Sequence, residues 1–369
     1  MTTPTQTQPT TSIPEQIQDH DAAALALEVA AAVAATAALK EAISGIVKAS
    51  LLSWTRLFGP SLTEERSGPR YVQFMQHLAQ DLRQVKVDPA PVLVEYATKA
   101  RELGVTQAFK EAKRDPVPLW PVADEDAKDH AEKAAESATE SARAKVESSA
   151  KLAKTKATPS GRGSFQGVLE VLAPAQTAVS DVEQAAKTTT NDALNQGVAD
   201  VTAKVGGHLL WVAERTACVS CLALSGRVAD SDGHFDWTLT FGKKAYPHKV
   251  ENEAGEWVEA PLEHPPRHRN CRCRVTPYMG LDITDPVGLP VALRREAERS
   301  VLNGYALPSE SEGVRRDAAD RLLARVGMAK NSRSPSGWAV PQSVKERAER
   351  AIRKGTFTTG PVPVPSPKK

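Results

Sequence analysis

Residues 217–226, ACVSCLALSG, and residues 265–274, PPRHRNCRCR, contain all four cysteines of the 369-residue chain. The cysteines form two close pairs, Cys218 with Cys221 and Cys271 with Cys273. A Cys-x-x-Cys turn can direct two sulfurs to one ion. In an extended segment, Cys271 and Cys273 project from the same face, because side chains alternate along a strand. If the two stretches fold back on each other, all four sulfurs converge on one site.

Thiolate and imidazole are the ligands that zinc prefers, and a structural zinc site takes four of them in a tetrahedron. His268 lies three positions before Cys271 and adds a second ligand pair at knuckle-like spacing. We therefore predict a structural Zn²⁺ site with Cys218, Cys221 and Cys271 as ligands. The fourth position is open between Cys273 and His268.

Other interpretations of the cysteines are one or two disulfides, buried thiols without a ligand, and a redox Cys-x-x-Cys. Disulfides are expected in secreted proteins, but Met1 to Asp19 is polar and has no apolar core of a signal peptide. A redox motif usually accompanies a βαβ pattern, which we do not find in the sequence. The metal site is therefore the preferred interpretation.

Four arginines surround the second cysteine pair. If Cys271 and Cys273 face inward, Arg272 and Arg274 face outward and are available to phosphate or to an acidic protein surface. We expect a basic rim beside the metal, formed by Arg267, Arg269, Arg272 and Arg274.

Composition favours thin helical cores, because 41% of the residues are hydrophobic but only 5% are aromatic. The net charge of +2 implies no overall electrostatic preference for nucleic acid or membrane. We predict a mostly α-helical α+β fold, with long helices, a small β-rich zinc-knuckle-like module and disordered termini. The expected domains are a disordered arm (1–18), a helical N-terminal domain (19–122), a charged helix or linker (123–163), the cysteine-containing module (164–284), a basic helical C-terminal region (285–355) and a disordered tail (356–369).

The first helix is expected to start near Asp19 or Asp21 and to stop at Gly59-Pro60. Its stretch from Ala22 to Val47 is apolar, but three charged residues interrupt it, so we interpret it as a packed helix and expect no membrane contact. Its predicted buried face consists of Leu25, Val29, Val33, Thr36, Leu39, Ile43, Val47, Ser50, Trp54 and Leu57.

Three further elements are predicted around the cysteines. A helix from Phe165 to Trp211 is divided by Pro174 and by Gly206-Gly207. The alternation from His234 to Phe241 predicts a half-buried strand, and residues 253–255 predict a hairpin turn. Mixed-sign charges on the C-terminal helices indicate solvated, salt-bridged faces.

The helix that ends in Trp211, the stretch ACVSCLALSGRV and the stretch HPPRHRNCRCRV resemble the phage Mu F-like minor head proteins, of actinobacteriophage type. The resemblance rests on the Cys-x-x-Cys pair with Gly226 after it, and on Pro266, His268, Cys271, Arg272 and Cys273. It covers residues 165–277 and leaves both ends of the chain unassigned.

The resemblance implies a minor capsid protein of a bacteriophage virion, acting in head morphogenesis and capsid assembly. Its implied partners are the portal protein and the major capsid protein, with packaged DNA as a further contact and no small-molecule substrate. The implied location is the capsid interior near the portal, and the host cytoplasm during assembly. We expect no enzymatic activity, with a fused protease or nuclease activity as an alternative.

Three alternatives come from other functional classes. His264, His268 and Asn270 superficially resemble a metal-dependent nuclease of the histidine-asparagine-histidine type, but no adjacent His-His or Asp-His pair is present to act as base. A DNA-binding protein would use the arginine rim and the basic C-terminal helices. A fused capsid maturation protease is a third possibility, although the sequence has neither G-x-S-x-G nor H-E-x-x-H.

Overall fold

The computed structural model describes residues 15–115, 122–245, 247–251, 256–268, 270–280, 288–304 and 310–354. In chain order, the elements are α1 (Glu15–Phe58), β1 (Arg66–Ser67), α2 (Pro69–Arg83), α3 (Ala90–Glu111), α4 (Val122–Lys156), β2 (Arg162–Gly163), α5 (Phe165–Lys204), β3 (His208–Val212), α6 (Val219–Leu224), β4 (Lys249–Glu251), β5 (Trp257–Glu259), β6 (Arg274–Tyr278), α7 (Gly288–Asn303), α8 (Glu312–Val326) and α9 (Gln342–Lys354).

The strands are short and form antiparallel pairs, β1 with β2, β3 with β6, and β4 with β5. The predicted mostly α-helical α+β fold is therefore confirmed. The predicted disordered tail, and the predicted arm up to residue 14, lie outside the described residues. Residues 15–18 already belong to α1, which therefore begins earlier than expected.

The chain divides into two compact units. The cysteine unit comprises the described residues of Met1–Ala24, Arg101–Leu119 and Leu194–Lys369, and the helical unit comprises those of Leu25–Ala100 and Trp120–Ala193. Helices α1, α3 and α5 contribute residues to both units. This division does not follow the sequential domains expected from the sequence.

The helical unit is built around Trp54, which is fully buried. Its indole N–H donates to the Ser61 carbonyl at 3.0 Å, and the rings of Phe58, Phe74 and Phe165 lie within 5.7 Å of its ring centre. The predicted end of α1 before Gly59 is confirmed. Most of the predicted buried face of its second half is confirmed too, since Thr36, Leu39, Ile43, Ser50 and Trp54 are buried, whereas Val47 is half-buried and Leu57 is exposed.

The first half of α1 departs from the predicted face. Leu25, Val29 and Val33 are 41%, 48% and 61% exposed, whereas Glu28 is buried and accepts a hydrogen bond from Asn191 Nδ2 at 3.2 Å. The residues that enter the core here are alanines, and they form a cluster with Leu93 and with alanines of neighbouring helices. Members of the cluster are Ala31, Ala32, Leu93, Ala135 and Ala186. Small side chains are buried where close-packed helices approach one another, so the largest apolar residues do not mark the buried face.

The stretch His20–Phe58 is long and apolar enough to cross a membrane, judged by length and composition alone. Core helices of soluble proteins and N-terminal signal sequences meet the same criterion. The expectation of no membrane contact therefore stays a prediction.

The stretch 123–163 was expected to be a charged helix or a linker, and the helix is confirmed as α4. One face of α4 is buried in the helical unit, and it consists mainly of alanines at helical spacing. The fully buried members are Ala131, Ala135, Ala142, Ser149, Ala150 and Ala153. The sequence has almost no large apolar residue here, but alanine is enough where helices pack closely.

Helix α5 runs through Pro174, which we expected to divide it. Proline has no N–H and disturbs the hydrogen bonds of the preceding turn. The N–H of Ala175 donates instead to Ser149 Oγ of α4 at 3.0 Å, so a neighbouring side chain compensates the disturbed backbone. The helix ends at Lys204, and Gly206 follows with a φ of 71°. Trp211 therefore lies in strand β3 and not at a helix end, which corrects the prediction.

The cysteine unit contains the other four strands. Trp211 of β3 pairs with Val275 of β6, is fully buried, and has its ring 5.1 Å from that of Phe235. The strand predicted from His234 to Phe241 is wrong, because only Phe235 makes a bridge, with Leu262. The carboxylate of Asp236 accepts hydrogen bonds from the N–H and hydroxyl of Thr238 and favours a local turn over a strand.

Strands β4 and β5 form a hairpin in which Val250 pairs with Val258. The turn predicted at residues 253–255 lies outside the described residues. Helices α7, α8 and α9 match the predicted C-terminal helices. Two of their basic side chains are not solvated as predicted: Arg315 and Lys345 are fully buried, and Lys345 Nζ donates to the Ala329 carbonyl at 2.6 Å.

A buried charged network connects the start of α1 with α3 and β6 inside the cysteine unit. Arg274 Nη2 and His20 Nδ1 lie 3.3 Å and 3.4 Å from Glu111 Oε1, and Arg274 Nε lies 2.5 Å from Asp21 Oδ1. Burial lowers the pKa of His20 below its usual 6.5, and the contact with Glu111 opposes this only in part. Burial raises the pKa of Glu111, but Arg274 and His20 outweigh it and hold that pKa below its usual value.

Acid is expected to destabilise the cysteine unit through this network. His20 and Glu111 each bind fewer protons in the folded state than in the unfolded state. Their contributions to the free energy of unfolding are therefore complete above the unfolded pKa values and are lost as the pH falls. For His20 the loss begins as the pH falls below about 6.5. His20→Gln removes this titration, so urea unfolding at pH 7.5 and 5.5 should show a smaller difference than in the wild type. His77→Gln, at an exposed site on α2, is the control. An unchanged pH dependence in His20→Gln would contradict the assignment.

Candidate metal centre

The first cysteine pair lies at the start of helix α6. Cys218 is the residue before the helix, and its sulfur accepts a hydrogen bond from the N–H of Cys221 at 3.4 Å. This local bond places both sulfurs on the first turn of α6. Cys221 is 1% exposed, whereas Cys218 is half-buried.

The second pair follows a tight turn. The N–H of Cys271 donates to the carbonyl of His268 at 3.0 Å, and Asn270 between them has a φ of 62°. Asparagine tolerates this left-handed conformation better than most residues. The turn brings His268 and Cys271 to the same side of the chain, and Cys273 follows directly before β6. Both cysteines are buried, whereas His268 is exposed.

The five predicted ligands come together. The Nε2 atom of His268 lies 3.2 Å from Cys218 Sγ and 3.3 Å from Cys221 Sγ, and the sulfurs of Cys221 and Cys271 lie 3.8 Å apart. Within each of two sets, Cys218–Cys221–His268 and Cys221–Cys271–Cys273, the ligand atoms are within 4.8 Å of one another. Cys221 belongs to both sets and is therefore the centre of the cluster.

All four cysteines are free thiols. The distance of 3.8 Å between the sulfurs of Cys221 and Cys271 is far longer than the roughly 2.05 Å of a disulfide bond. The disulfide interpretation is therefore wrong. The ligand residues line a small cavity of about 20 Å³. That is enough space for one ion or one water molecule.

The thiols perturb one another. A hydrogen bond from the Cys221 thiol, and then the contact with His268, hold the pKa of Cys218 well below its usual value. Hydrogen bonds from Cys221 and Cys273 do the same for Cys271. In turn, the bonds that Cys221 makes to Cys218, Cys271 and Cys273 raise the pKa of Cys221. Buried thiolates repel one another, so further ionisation needs a cation among them. The cluster can hold a metal ion.

An ion pair from outside the cluster supports the first cysteine pair. Glu310 Oε1 accepts a hydrogen bond from the N–H of Val219 at 2.9 Å, and Glu310 Oε2 lies 2.9 Å from Arg315 Nε. Arg315 Nη2 also donates to the carbonyl of Ala217 at 2.6 Å. The residues on either side of Cys218 are therefore held by one buried pair. The sequence did not reveal this role, because an arginine in a mixed-charge helix is typical of a solvated face.

Asn195 of α5 supports the second pair. Its Oδ1 accepts from the N–H of Val275 at 2.8 Å, and its Nδ2 donates to the carbonyl of Cys273 at 3.4 Å. Asn195 is fully buried. A polar residue directly after Leu194, on the apolar side of a predicted helix, was the signal available in the sequence.

The predicted exposure of the arginine rim is wrong for Arg267 and Arg274, which are buried. Arg267 is 6% exposed and donates to the carbonyl of Trp237 at 2.5 Å, and Arg274 is 2% exposed and belongs to the network with Glu111. Arg272 pairs with Glu214 at 3.1 Å. Arg269 lies outside the described residues. Strand β6 is covered on both faces, so alternation along it does not separate core from solvent.

The turn at Asn270 provides a test of the site's backbone geometry. Asn270→Val places a β-branched residue at positive φ, which costs roughly 1–3 kcal/mol. We expect it to lower the free energy of unfolding by about that amount and to weaken metal binding, whereas Asn270→Gly should be close to neutral. Chemical unfolding and competition with a chelator measure both effects. Equal behaviour of the two variants would show that the turn does not depend on this conformation.

The chain has no match among protein-family models, curated proteins or solved structures. The resemblance to the Mu F-like minor head proteins therefore remains a prediction from the residues of the two cysteine stretches. What the structure adds is the geometry of a Cys/His cluster and of the residues that support it.

Proposed function

We propose that the Cys/His cluster is a structural zinc site in a phage head-assembly protein. Tetrahedral bonds of about 2.3 Å from zinc to two sulfurs separate those sulfurs by about 3.8 Å. The sulfurs of Cys221 and Cys271 lie 3.8 Å apart. A sulfur and an imidazole nitrogen on one zinc are about 3.5 Å apart on the same basis, close to the 3.2 Å and 3.3 Å from His268 Nε2 to Cys218 and Cys221. The donor set thus fits a zinc ion, and this fit carries the proposal.

For the fourth ligand we favour His268 over Cys273. His268 Nε2 is in contact with both sulfurs of the first pair, whereas Cys273 joins the cluster only in the set with Cys221 and Cys271. Three thiolates and one neutral imidazole would hold the ion, and Cys273 would remain a buried thiol. Bound there, zinc would join α6 to the turn before β6 and stabilise the fold of the cysteine unit.

The assembly role follows from the resemblance and from the nature of the site. A closed set of four protein ligands is typical of structural zinc, because a catalytic zinc keeps one position open. Under this proposal the chain is a minor capsid protein that acts in procapsid assembly near the portal, with the portal protein and the major capsid protein as partners. Burial of Arg267 and Arg274 removes two of the four rim arginines from the surface that the DNA-binding alternative would use. Among the described residues, no observation favours the nuclease or protease alternatives.

Two measurements test the proposal separately. Elemental analysis of the purified protein should find about one zinc per chain, and a folded, metal-free wild type would refute the zinc site. The genes next to the coding sequence should encode a portal and a major capsid protein, and co-expression with them should place the chain in procapsids. If procapsids form in this co-expression but do not contain the chain, the assembly role is refuted, whereas the zinc site is unaffected.

A further inference from the structure

A second cavity in the cysteine unit has a volume of about 380 Å³. It lies between the end of α6 and the helices α7 and α8, and segments 239–241 and 335–336 complete its wall. Three arginines line it: Arg227 after α6, Arg294 on α7 and Arg325 on α8. We call it the arginine cavity. Its volume is at the small end of the range of about 300–1,000 Å³ that is usual for small-molecule sites.

The charges of the described lining residues do not balance. Glu298 is their single carboxylate, so the three arginines leave a net charge of +2 on the lining. Both oxygens of Glu298 already accept hydrogen bonds from Ser336, Oε1 from its N–H at 3.0 Å and Oε2 from its hydroxyl at 2.6 Å. Glu298 is also only 3% exposed. Its carboxylate therefore binds the 335–336 segment through both of its oxygens.

Two of the arginines, Arg227 and Arg294, repel each other. Burial first, and then the charge of Arg227, lower the pKa of Arg294. The Nη1 of Arg294 donates to the carbonyl of Gly226 at 3.3 Å, which fixes the guanidinium beside the loop that carries Arg227. Like charges gathered in a concave site are stabilised when an anion binds between them.

Most of the remaining lining is apolar and partly aromatic, and it is formed by Leu222 and Ala223 from α6, Leu239 and Phe241 from the adjoining segment, and Pro335. Ser225, Thr240 and Ser336 add hydroxyl groups to it. A ligand with a dianionic end and a flat or apolar body would therefore satisfy both parts of the cavity. A phosphate monoester carries about −1.5 to −2 charges at pH 7 and accepts paired hydrogen bonds from guanidinium groups.

We propose that the arginine cavity binds a small organic phosphate of about the size of a nucleoside monophosphate. The phosphate lies among Arg227, Arg294 and Arg325, and the body of the ligand packs against Leu239 and Phe241. The cavity is too small for a nucleic acid duplex, so the phosphate belongs to a free nucleotide or to the end of a single strand. This is a binding site and not a site of turnover, and it does not depend on the assembly role.

Calorimetry with the whole chain as purified, in a buffer without phosphate, tests the proposal whether or not zinc is bound. Adenosine 5′-monophosphate should bind in a saturable manner, inorganic phosphate more weakly, and adenosine not detectably. A 5′-phosphorylated oligothymidylate and its 5′-hydroxyl counterpart distinguish the two sources of the phosphate: preference for the phosphorylated strand over the mononucleotide indicates a strand end, and the reverse indicates a free nucleotide.

The variants Arg227→Gln and Arg325→Gln remove exposed side chains, so they leave the core intact. Each should weaken adenosine 5′-monophosphate binding about tenfold or more, as expected for loss of a charge-assisted hydrogen bond. Arg321→Gln and Arg350→Gln are matched controls, because they remove the same charge from exposed positions outside the lining. The proposal is overturned if the wild type shows no saturable binding at millimolar ligand, if adenosine binds equally well, or if the control variants lose as much affinity as the lining variants.

Discussion

Cys221→Ser is expected to abolish zinc binding and to unfold the segment 208–278 that carries the cluster. Cys221 belongs to both sets of ligand atoms, and its side chain is 1% exposed. Structural zinc supplies about 10–16 kcal/mol of apparent binding free energy in zinc-finger peptides at pH 7. That amount is comparable to the whole stability of a typical domain, about 5–15 kcal/mol. Loss of this ligand should therefore have the largest effect of any single substitution at the centre.

Zinc content by elemental analysis, together with limited proteolysis, measures this outcome. The substitutions His268→Ala and Cys273→Ala identify the fourth ligand. If His268 is the fourth ligand, His268→Ala weakens zinc binding by more than the roughly 10–100-fold that loss of an outer partner costs. Cys273→Ala then keeps about one zinc per chain. The opposite pattern would assign the fourth position to Cys273, and full zinc content in Cys221→Ser would refute the centre itself.

Arg315→Ala is expected to lower the free energy of unfolding by about 3–5 kcal/mol, because it leaves a buried carboxylate without its partner. The side chains of Arg315 and Glu310 are 1% and 8% exposed. Arg315 also binds the carbonyl of Ala217, next to Cys218. The substitution should therefore loosen zinc as well, by roughly 10–100-fold.

Chemical unfolding and chelator competition test both parts. The control is Arg321→Ala on the same helix, which is exposed and should change stability by about 0.5 kcal/mol or less. Glu310→Ala and Arg315→Ala share one ion pair, so the effect of the double substitution should be smaller than the sum of the single ones. Additive losses, or zinc affinity that stays unchanged in Arg315→Ala, would show that the pair does not support the cysteine turn.

Local patterns predicted the donor residues well. Cys218 and Cys221 lie on one helical turn, and His268 and Cys271 on one tight turn. Each of these pairs depends on only a few backbone angles, so spacing is enough to identify it. The end of α1 at Phe58 was predicted for the same reason, because a Gly-Pro break acts over a short distance.

Predictions about exposure were less successful. Arg274 was expected to face outward beside Cys273, but Asp21 and Glu111, distant in sequence, enclose it. The charged sequence of helix α4 gave no sign of a buried face, but α4 packs through alanines whose role depends on how closely a second helix approaches. No local pattern contains that information.

The sequence by itself determined the chemistry available to this protein: four thiols and a neighbouring imidazole in two turns, on a chain of long helices. Only the tertiary structure decided that the two turns meet, that His268 lies beside both sulfurs of the first pair, and that Arg227, Arg294 and Arg325 share a cavity. Spacing sets the geometry within a turn. Burial and charge balance arise from residues far apart in the chain, and they exist only after the helices have packed.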